Sequence, residues 1–214
     1  MANSTRSVLT SFLISFEGTE GSGKSTLIQE VALILDQLGR TSIKTREPGG
    51  SALAEKIRNL ILESSMNPWT ELFLYEAARA EHLTQTILPA LKRGEIVLCD
   101  RFTDSTLAYQ SHARGLPWNQ VKALNKVATT GLRPQLTVFL DIDPEVGLRR
   151  AQDPNRFEAE GVEFQKKVRA GFLKARAERP KSWLTLRSDK LTPPQLAKKV
   201  IDHLITKRWI KKRD

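Results

Sequence analysis

Phe12-Leu13-Ile14-Ser15-Phe16-Glu17-Gly18-Thr19-Glu20-Gly21-Ser22-Gly23-Lys24-Ser25 is the stretch that decides the reading of this chain. A short, mostly apolar run of strand length leads into a glycine-rich loop. Beyond the loop Leu27, Val31, Leu35 and Leu38 recur at helical spacing, and Gly39 stands where a helix ends. Gly18 to Ser25 fits the pattern G-x-x-x-x-G-K-[ST] without a mismatch. Glycines let backbone N–H groups turn inward around phosphate oxygens, and the following helix presents its positive end. Lys24 is placed to reach the β- and γ-phosphates, and the Ser25 hydroxyl to meet Mg²⁺. Gly18, Thr19, Glu20, Gly21, Ser22, Gly23, Lys24, Ser25 and Thr26 are therefore the expected ATP-binding residues.

Outward from this loop the chain alternates strand and helix. Thr41–Thr45, Ile96–Cys99 and Thr137–Leu140 read as further strands. Ser51–Glu63 and Trp69–Leu88 read as helices, the second stopped by Pro89. Asp143-Pro144-Glu145 and Thr192-Pro193 read as helix starts, with a capping side chain followed by proline. This alternation predicts an α/β P-loop NTPase fold: a parallel sheet covered by helices on both faces, with its ligand beyond the carboxyl ends of the strands. Asp100 ends one such strand, where a P-loop protein places a second carboxylate near Mg²⁺. Its neighbour Arg101 adds a cation for phosphate.

The composition excludes several classes. With 214 residues, 40% hydrophobic and 27% charged, the chain is neither disordered nor fibrous, and it is read as one domain over 1–214. No apolar run approaches the ~18 residues that cross a bilayer, so no membrane partner is expected and a cytoplasmic location is. The lone Cys99 offers neither a disulfide framework nor a metal cluster. The net charge of +10 invites a nucleic-acid reading, but it is unevenly spread. Residues 1–165 hold eighteen basic and twenty acidic side chains, net −2; residues 166–214 hold sixteen and four, net +12. The closing run Lys207, Arg208, Lys211, Lys212, Arg213 reads as a solvated tail, about 207–214, dispensable for catalysis. Nucleic acid is not the expected partner.

A guanine-nucleotide switch would carry Asn-Lys-x-Asp. The nearest string, Asn125-Lys126-Val127-Ala128, lacks the carboxylate. Many dispersed arginines instead suit a second anionic substrate, which favours a small kinase. Three further strings then sharpen the picture: Thr45-Arg46-Glu47-Pro48-Gly49-Gly50, Asp100-Arg101-Phe102 with Ser105-Thr106-Leu107-Ala108-Tyr109-Gln110, and Pro144-Glu145-Val146-Gly147-Leu148-Arg149-Arg150. Together with the loop and Ala77-Ala78-Arg79, they resemble the bacterial thymidylate kinases over residues 12–206. Taken from the residues alone, Glu47-Pro48-Gly49-Gly50 would be a plain turn.

That resemblance implies Mg-ATP plus dTMP giving ADP plus dTDP, in a homodimer. It assigns the 5′-phosphate of dTMP to Arg46 and Arg101, the deoxyribose 3′-hydroxyl to Glu20, stacking on thymine to Tyr75 and the thymine edge to Arg79. It gives Tyr109 the task of crowding the sugar 2′-position and places Ser105, Thr106 and Gln110 at the same site. Lys24 and Arg101 are the expected catalytic residues, joined by Arg149, Arg150 and Arg156 on a short mobile lid at about 149–161. The loop lacks the arginine that some relatives carry there, so the lid arginines take that role. The alternatives are another nucleoside monophosphate or nucleoside kinase, or a basic nucleic-acid-binding ATPase. The histidines, His82, His112 and His203, stand in no evident catalytic pairing, and an acceptor that is already a phosphate needs no base.

Overall fold

A computed structural model of the chain describes residues 9–150 and 160–211. Strand β1 (Phe12–Glu17) is buried along its whole length, as a run covered on both faces must be. It delivers the glycine-rich loop to α1 (Lys24–Gln37), whose Leu27, Ile28, Val31 and Leu35 pack into the core beneath. After β2 (Ser42–Arg46) comes α2 (Ala52–Glu63), capped by Ser51, whose hydroxyl oxygen accepts from the Ala54 N–H. Helix α3 (Pro68–His82) opens with Asn67 accepting from the Thr70 N–H at 2.9 Å and with proline at its first position.

The expected stop at Pro89 does not occur. After α3 the chain makes a π turn, Leu83–Ile87, and continues as α4 (Leu88–Lys92). In that turn the Leu88 N–H bonds the Leu83 carbonyl, five residues back. The wider spacing accommodates a proline ring that would otherwise strike the carbonyl one turn earlier. Strand β3 (Ile96–Asp100) follows, then the short α5 (Thr103–Thr106), a second π turn at Leu107–Ala113, and α6 (Trp118–Ala128). Strand β4 (Leu136–Asp141), α7 (Pro144–Arg150), α8 (Gly161–Glu178), β5 (Trp183–Arg187) and α9 (Pro193–Thr206) complete the described elements. Most of the expected lid, with Arg156, lies outside the described residues.

The five strands are parallel, in the order β2-β3-β1-β4-β5. Strand β1 is central, and the chain winds away from it in both directions. That switch point opens a crevice at the carboxyl ends of β1 and β3. Beneath it runs a buried polar chain. Ser15 donates to Thr137 at 3.2 Å, Thr137 donates to Asp104 at 3.1 Å, and Arg179 grips both Asp104 oxygens at 2.7 and 2.9 Å. The start of α5 is thereby tied to two strands and to the end of α8.

Over its described part, residues 207–211, the basic run at the end is not a solvated tail; Lys212 and Arg213 lie outside the described residues. The Trp209 ring lies 5.5 Å from Phe12, Ile210 is buried, and Arg40 donates to the carbonyls of Trp209 and Leu9 at 3.3 and 2.8 Å. Lys207, Arg208 and Lys211 stay in solvent while the two apolar residues between them enter the core. The charge pattern describes only the outer face of this segment. Ile210→Ala is therefore expected to cost about 2–5 kcal/mol in urea unfolding, and removal of residues 207–214 to destabilise the fold. Lys207→Gln and Lys211→Gln are expected to stay within about 0.5 kcal/mol of the parent.

Candidate active site

The loop after β1 closes around its own lysine. Lys24 Nζ donates to the Gly18 and Thr19 carbonyls at 3.3 and 3.2 Å and to Ser22 Oγ at 3.3 Å. Burial and then the nearby Arg101 pull its pKa below the ordinary lysine value, against Asp100 and Glu20. Gly21 has a φ of 67°, and a Cβ there would fall 1.9 Å from the Gly147 carbonyl oxygen. A Cβ on Gly147 would fall 2.5 Å from the Glu20 carbonyl oxygen, so α7 rests directly on the backbone of the loop.

Ser25 Oγ donates to Asp100 Oδ2 at 3.0 Å, joining the first turn of α1 to the end of β3. The other Asp100 oxygen is buried and has no hydrogen-bond partner among the described residues. A hydroxyl and a carboxylate with one unused oxygen at this point fit a hard cation such as Mg²⁺. No cluster of three His, Cys, Asp or Glu exists among the described residues, so such an ion would take its remaining ligands from phosphate and water.

Arg101 leaves β3 in the left-handed region, φ 67°. Its Nη1 donates to the Gly18 carbonyl at 3.0 Å and Ser105 Oγ at 3.2 Å, and its Nη2 to Glu20 Oε1 at 2.6 Å. Its guanidinium lies 4.9 Å from the centre of the Tyr109 ring, whose hydroxyl also donates to Glu20 Oε1, at 2.9 Å. Burial works against the Glu20 charge, but Arg101 and Lys24 hold its carboxyl below the ordinary range. Glu17 lies deeper. It accepts from the Phe102 N–H at 2.8 Å and from Ser105 Oγ at 2.5 Å. Burial first, and the charge of Asp104 second, push its pKa from 4.5 to about 8.

A cavity opens beside this loop. Glu20, Tyr75, Arg79, Arg101, Ser105, Thr106, Tyr109 and Gln110 all line it, so every expected dTMP residue except Arg46 meets there. Arg46 borders the adjoining cleft with Gly21 to Thr26 and Asp100, and it pairs with Glu55 at 3.0 Å on the surface. Glu20, Glu47, Arg58 and Arg101 line both, so the cavity and the cleft adjoin. Burial pushes the Tyr75 hydroxyl up to about 12, so it stays neutral.

Arg79, fully buried, donates through Nε to Glu47 at 2.7 Å, through Nη1 to Glu76 at 3.0 Å and Asn125 at 2.6 Å, and through Nη2 to Thr106 at 2.8 Å. Four of the five guanidinium hydrogens are thus committed, which leaves one on Nη2. Gln110 is held by its amide nitrogen to Glu71 at 2.8 Å.

Sequence reasoning missed Arg58, Leu62 and the Glu47 side chain. Arg58 falls in the inward stripe of α2, between buried Ala54 and Ile61. A charge in an apolar stripe was the available signal. Burial and Arg46 lower its pKa, and it donates to the Pro48 carbonyl at 2.9 Å. Of the expected lid arginines, Arg149 and Arg150 are exposed at the end of α7, Arg150 donating to the Ser188 carbonyl at 3.3 Å.

Glu17 gives a pH test. Between about 4.5 and about 8 the folded state holds a proton on Glu17 that the unfolded chain has released. Stability from this group therefore falls as pH rises across that window and levels off above it, on the order of 1 kcal/mol per pH unit. Urea unfolding of Glu17→Gln across the same window is expected to lack this slope. An identical slope in both proteins would show that Glu17 ionises normally.

The family described as Thymidylate kinase matches residues 16–196. The thymidylate kinase of Pelobacter propionicus is 46% identical over 187 residues, covering 82% of this chain and 85% of that protein. That of Synechococcus sp. (strain JA-3-3Ab) is 49% identical over 168 residues, covering 78% and 82%. The crystal structure of thymidylate kinase from Ehrlichia chaffeensis is 31% identical, with a TM-score of 0.76, over 91% of this chain and 98% of that one.

Proposed function

We propose a division of labour that proceeds from one premise: the chain belongs to the thymidylate kinase family and phosphorylates dTMP to dTDP with ATP. ATP lies along Gly18–Thr26, its phosphates on the loop amides and Lys24. Ser25 and Asp100 would hold Mg²⁺, which would neutralise phosphate charge. The nucleoside part of dTMP enters the cavity lined by Tyr75, Arg79 and Tyr109. There Tyr75 stacks on the base, Arg79 meets its edge, Glu20 receives the 3′-hydroxyl, and Tyr109 crowds the 2′-position; Ser105, Thr106 and Gln110 complete the wall. The 5′-phosphate points into the adjoining cleft, toward Arg46, Arg58 and Arg101.

The acceptor phosphate has a second pKa near ~6 and is itself the nucleophile, so no residue need remove a proton. Lys24 and Arg101 hold the two phosphates in line and neutralise them, with Arg149, Arg150 and Arg156 of the lid completing the charge. What supports this reading above all is that one cavity gathers the acceptor residues and shares Glu20, Glu47, Arg58 and Arg101 with the cleft along the phosphate loop.

The working unit is one domain over 1–214, paired as a homodimer and cytoplasmic. No helix among the described residues is long and apolar enough to cross a membrane. Leu53 and Leu60 on α2 and Trp69 and Phe73 on α3 expose an apolar strip that suits the second copy.

Lys24→Ala is expected to fold and bind dTMP but to lose at least about 10²-fold in turnover, read in a coupled ADP-release assay. Turnover within about threefold of the parent removes the phosphate loop from the mechanism.

The acceptor panel tests the base site. A missing methyl is worth ~1–3 kcal/mol, so dUMP is expected to be used roughly 10–200-fold less efficiently than dTMP. Cytosine sets an amino donor against the last free hydrogen of Arg79, so dCMP falls below dUMP, and purines are excluded by size. Equal kcat/KM for dCMP, AMP or GMP would overturn the base-site assignment.

A further inference from the structure

Beneath the loop that carries Arg46 lies a histidine that touches neither cleft. His82 is fully buried at the end of α3 and lines no part of the cavity. Its Nδ1 is 3.1 Å from Glu47 Oε1, and its Nε2 is 2.6 Å from Thr45 Oγ1. With its proton on Nδ1 the ring donates to the carboxylate and accepts the threonine hydroxyl, which satisfies both contacts at once. The other Glu47 oxygen takes Arg79 Nε at 2.7 Å. Thr45, His82, Glu47 and Arg79 thus form a linear chain of hydrogen bonds, from the edge of the sheet to the cavity wall.

We propose that His82 is a positioning residue for the acceptor: it fixes Glu47, and through Glu47 it fixes the rotamer of Arg79 and so the direction of its last free hydrogen. The packing agrees. A Cβ on Gly50 would fall 2.4 Å from two atoms of the His82 ring, so the Arg46–Gly50 loop lies directly on the imidazole. Glu47 is almost wholly buried, and its Oε1 has no other hydrogen-bond partner recorded among the described residues. A buried carboxylate that loses one of its two anchors is left partly unsatisfied and free to turn or take up a proton. Either change releases Arg79 Nε and lets the guanidinium turn out of the orientation that its bond to Glu47 fixes. Nothing in this role exchanges a proton with substrate. Its effect belongs to recognition rather than to phosphoryl transfer.

This inference rests on the proposed reading of Arg79 as the group that meets the base, and the test separates the two. Asparagine overlays its amide nitrogen on Nδ1 and keeps the donor to Glu47. Glutamine reaches only the Nε2 position and keeps the contact to Thr45. Leucine keeps neither. The readout is KM and kcat for dTMP, together with the ratio of kcat/KM for dTMP to that for dCMP.

His82→Leu and His82→Gln are expected to raise KM for dTMP and to lower the ratio at least about tenfold, with kcat within about threefold. His82→Asn is expected to restore most of the ratio. Should His82→Leu fail to fold, the Asn and Gln pair carries the test. Folded Leu or Gln variants with the parental KM and ratio overturn the proposal, and so does His82→Asn if it behaves like the other two. Arg79→Lys serves as the reference. If it collapses the ratio while the His82 variants do not, only the inference about His82 fails. If it leaves the ratio unchanged, the reading of Arg79 itself has failed and takes this inference with it.

Discussion

Arg101 leaves the central sheet with φ at 67°, a conformation that side chains bearing a Cβ seldom adopt, and the turn sets its guanidinium between the Gly18 carbonyl and the Glu20 carboxylate. The geometry of the site hangs on that placement. The same cation touches the phosphate loop, the Ser105 hydroxyl at the start of the next helix and the face of Tyr109. Walls built by β1, β3 and the second π turn therefore share one fixed point. The strained backbone persists because both of its neighbours are secured: Asp100 through Ser25, and Phe102 through the buried Glu17. In the proposed mechanism the cation stands between donor and acceptor, where phosphate charge must be neutralised.

Charge is arranged differently on the two sides of the cleft. Toward the loop, Lys24, Glu20 and Arg101 are packed close enough to shift one another, with Ser105 and Tyr109 as further partners from the elements that follow β3. In the acceptor cavity, Arg79 is sunk among two carboxylates, an amide and a hydroxyl, and the carboxylates of Glu47 and Glu76 raise its pKa despite its burial. A guanidinium held by four bonds has little freedom left. In the proposed reading such a group discriminates by geometry, because a base that offers the wrong edge cannot be met by rotating it. The loop side, in contrast, must accommodate charge that moves during the reaction.

Much of this was legible in the residues. The glycine-rich string predicted the strand, the turn and the helix that surround it, because only small residues allow that path around phosphate. The family resemblance carried by the later strings and by Ala77-Ala78-Arg79 led to Tyr75, Arg79, Arg101 and Tyr109, which the fold brings to one cavity. What stayed hidden had physical causes. Pro89 sits inside a continuing helix because a π turn relieves its clash, and no local pattern announces that turn. Trp209 and Ile210 were masked by the lysines and arginines around them. Arg58 was visible only as a charge in an apolar stripe. Glu47 and His82 are joined across thirty-five residues by a contact that neither periodicity nor composition encodes. Strand β5, at the sheet's edge and only partly buried, gave too weak an alternation to be picked out.

The approach of α7 to the phosphate loop has a further consequence. Gly21 and Gly147 leave no room for a methyl group on either side, and each faces a backbone carbonyl that no rotamer change can move aside. The two segments therefore constrain each other's evolution and engineering. A loop transplanted from another P-loop protein with a larger residue in place of Gly21 would displace the helix that carries Arg149 and Arg150. A helix transplanted without Gly147 would press on the loop that holds Lys24. Exchange between relatives is feasible only when both segments travel as a matched pair.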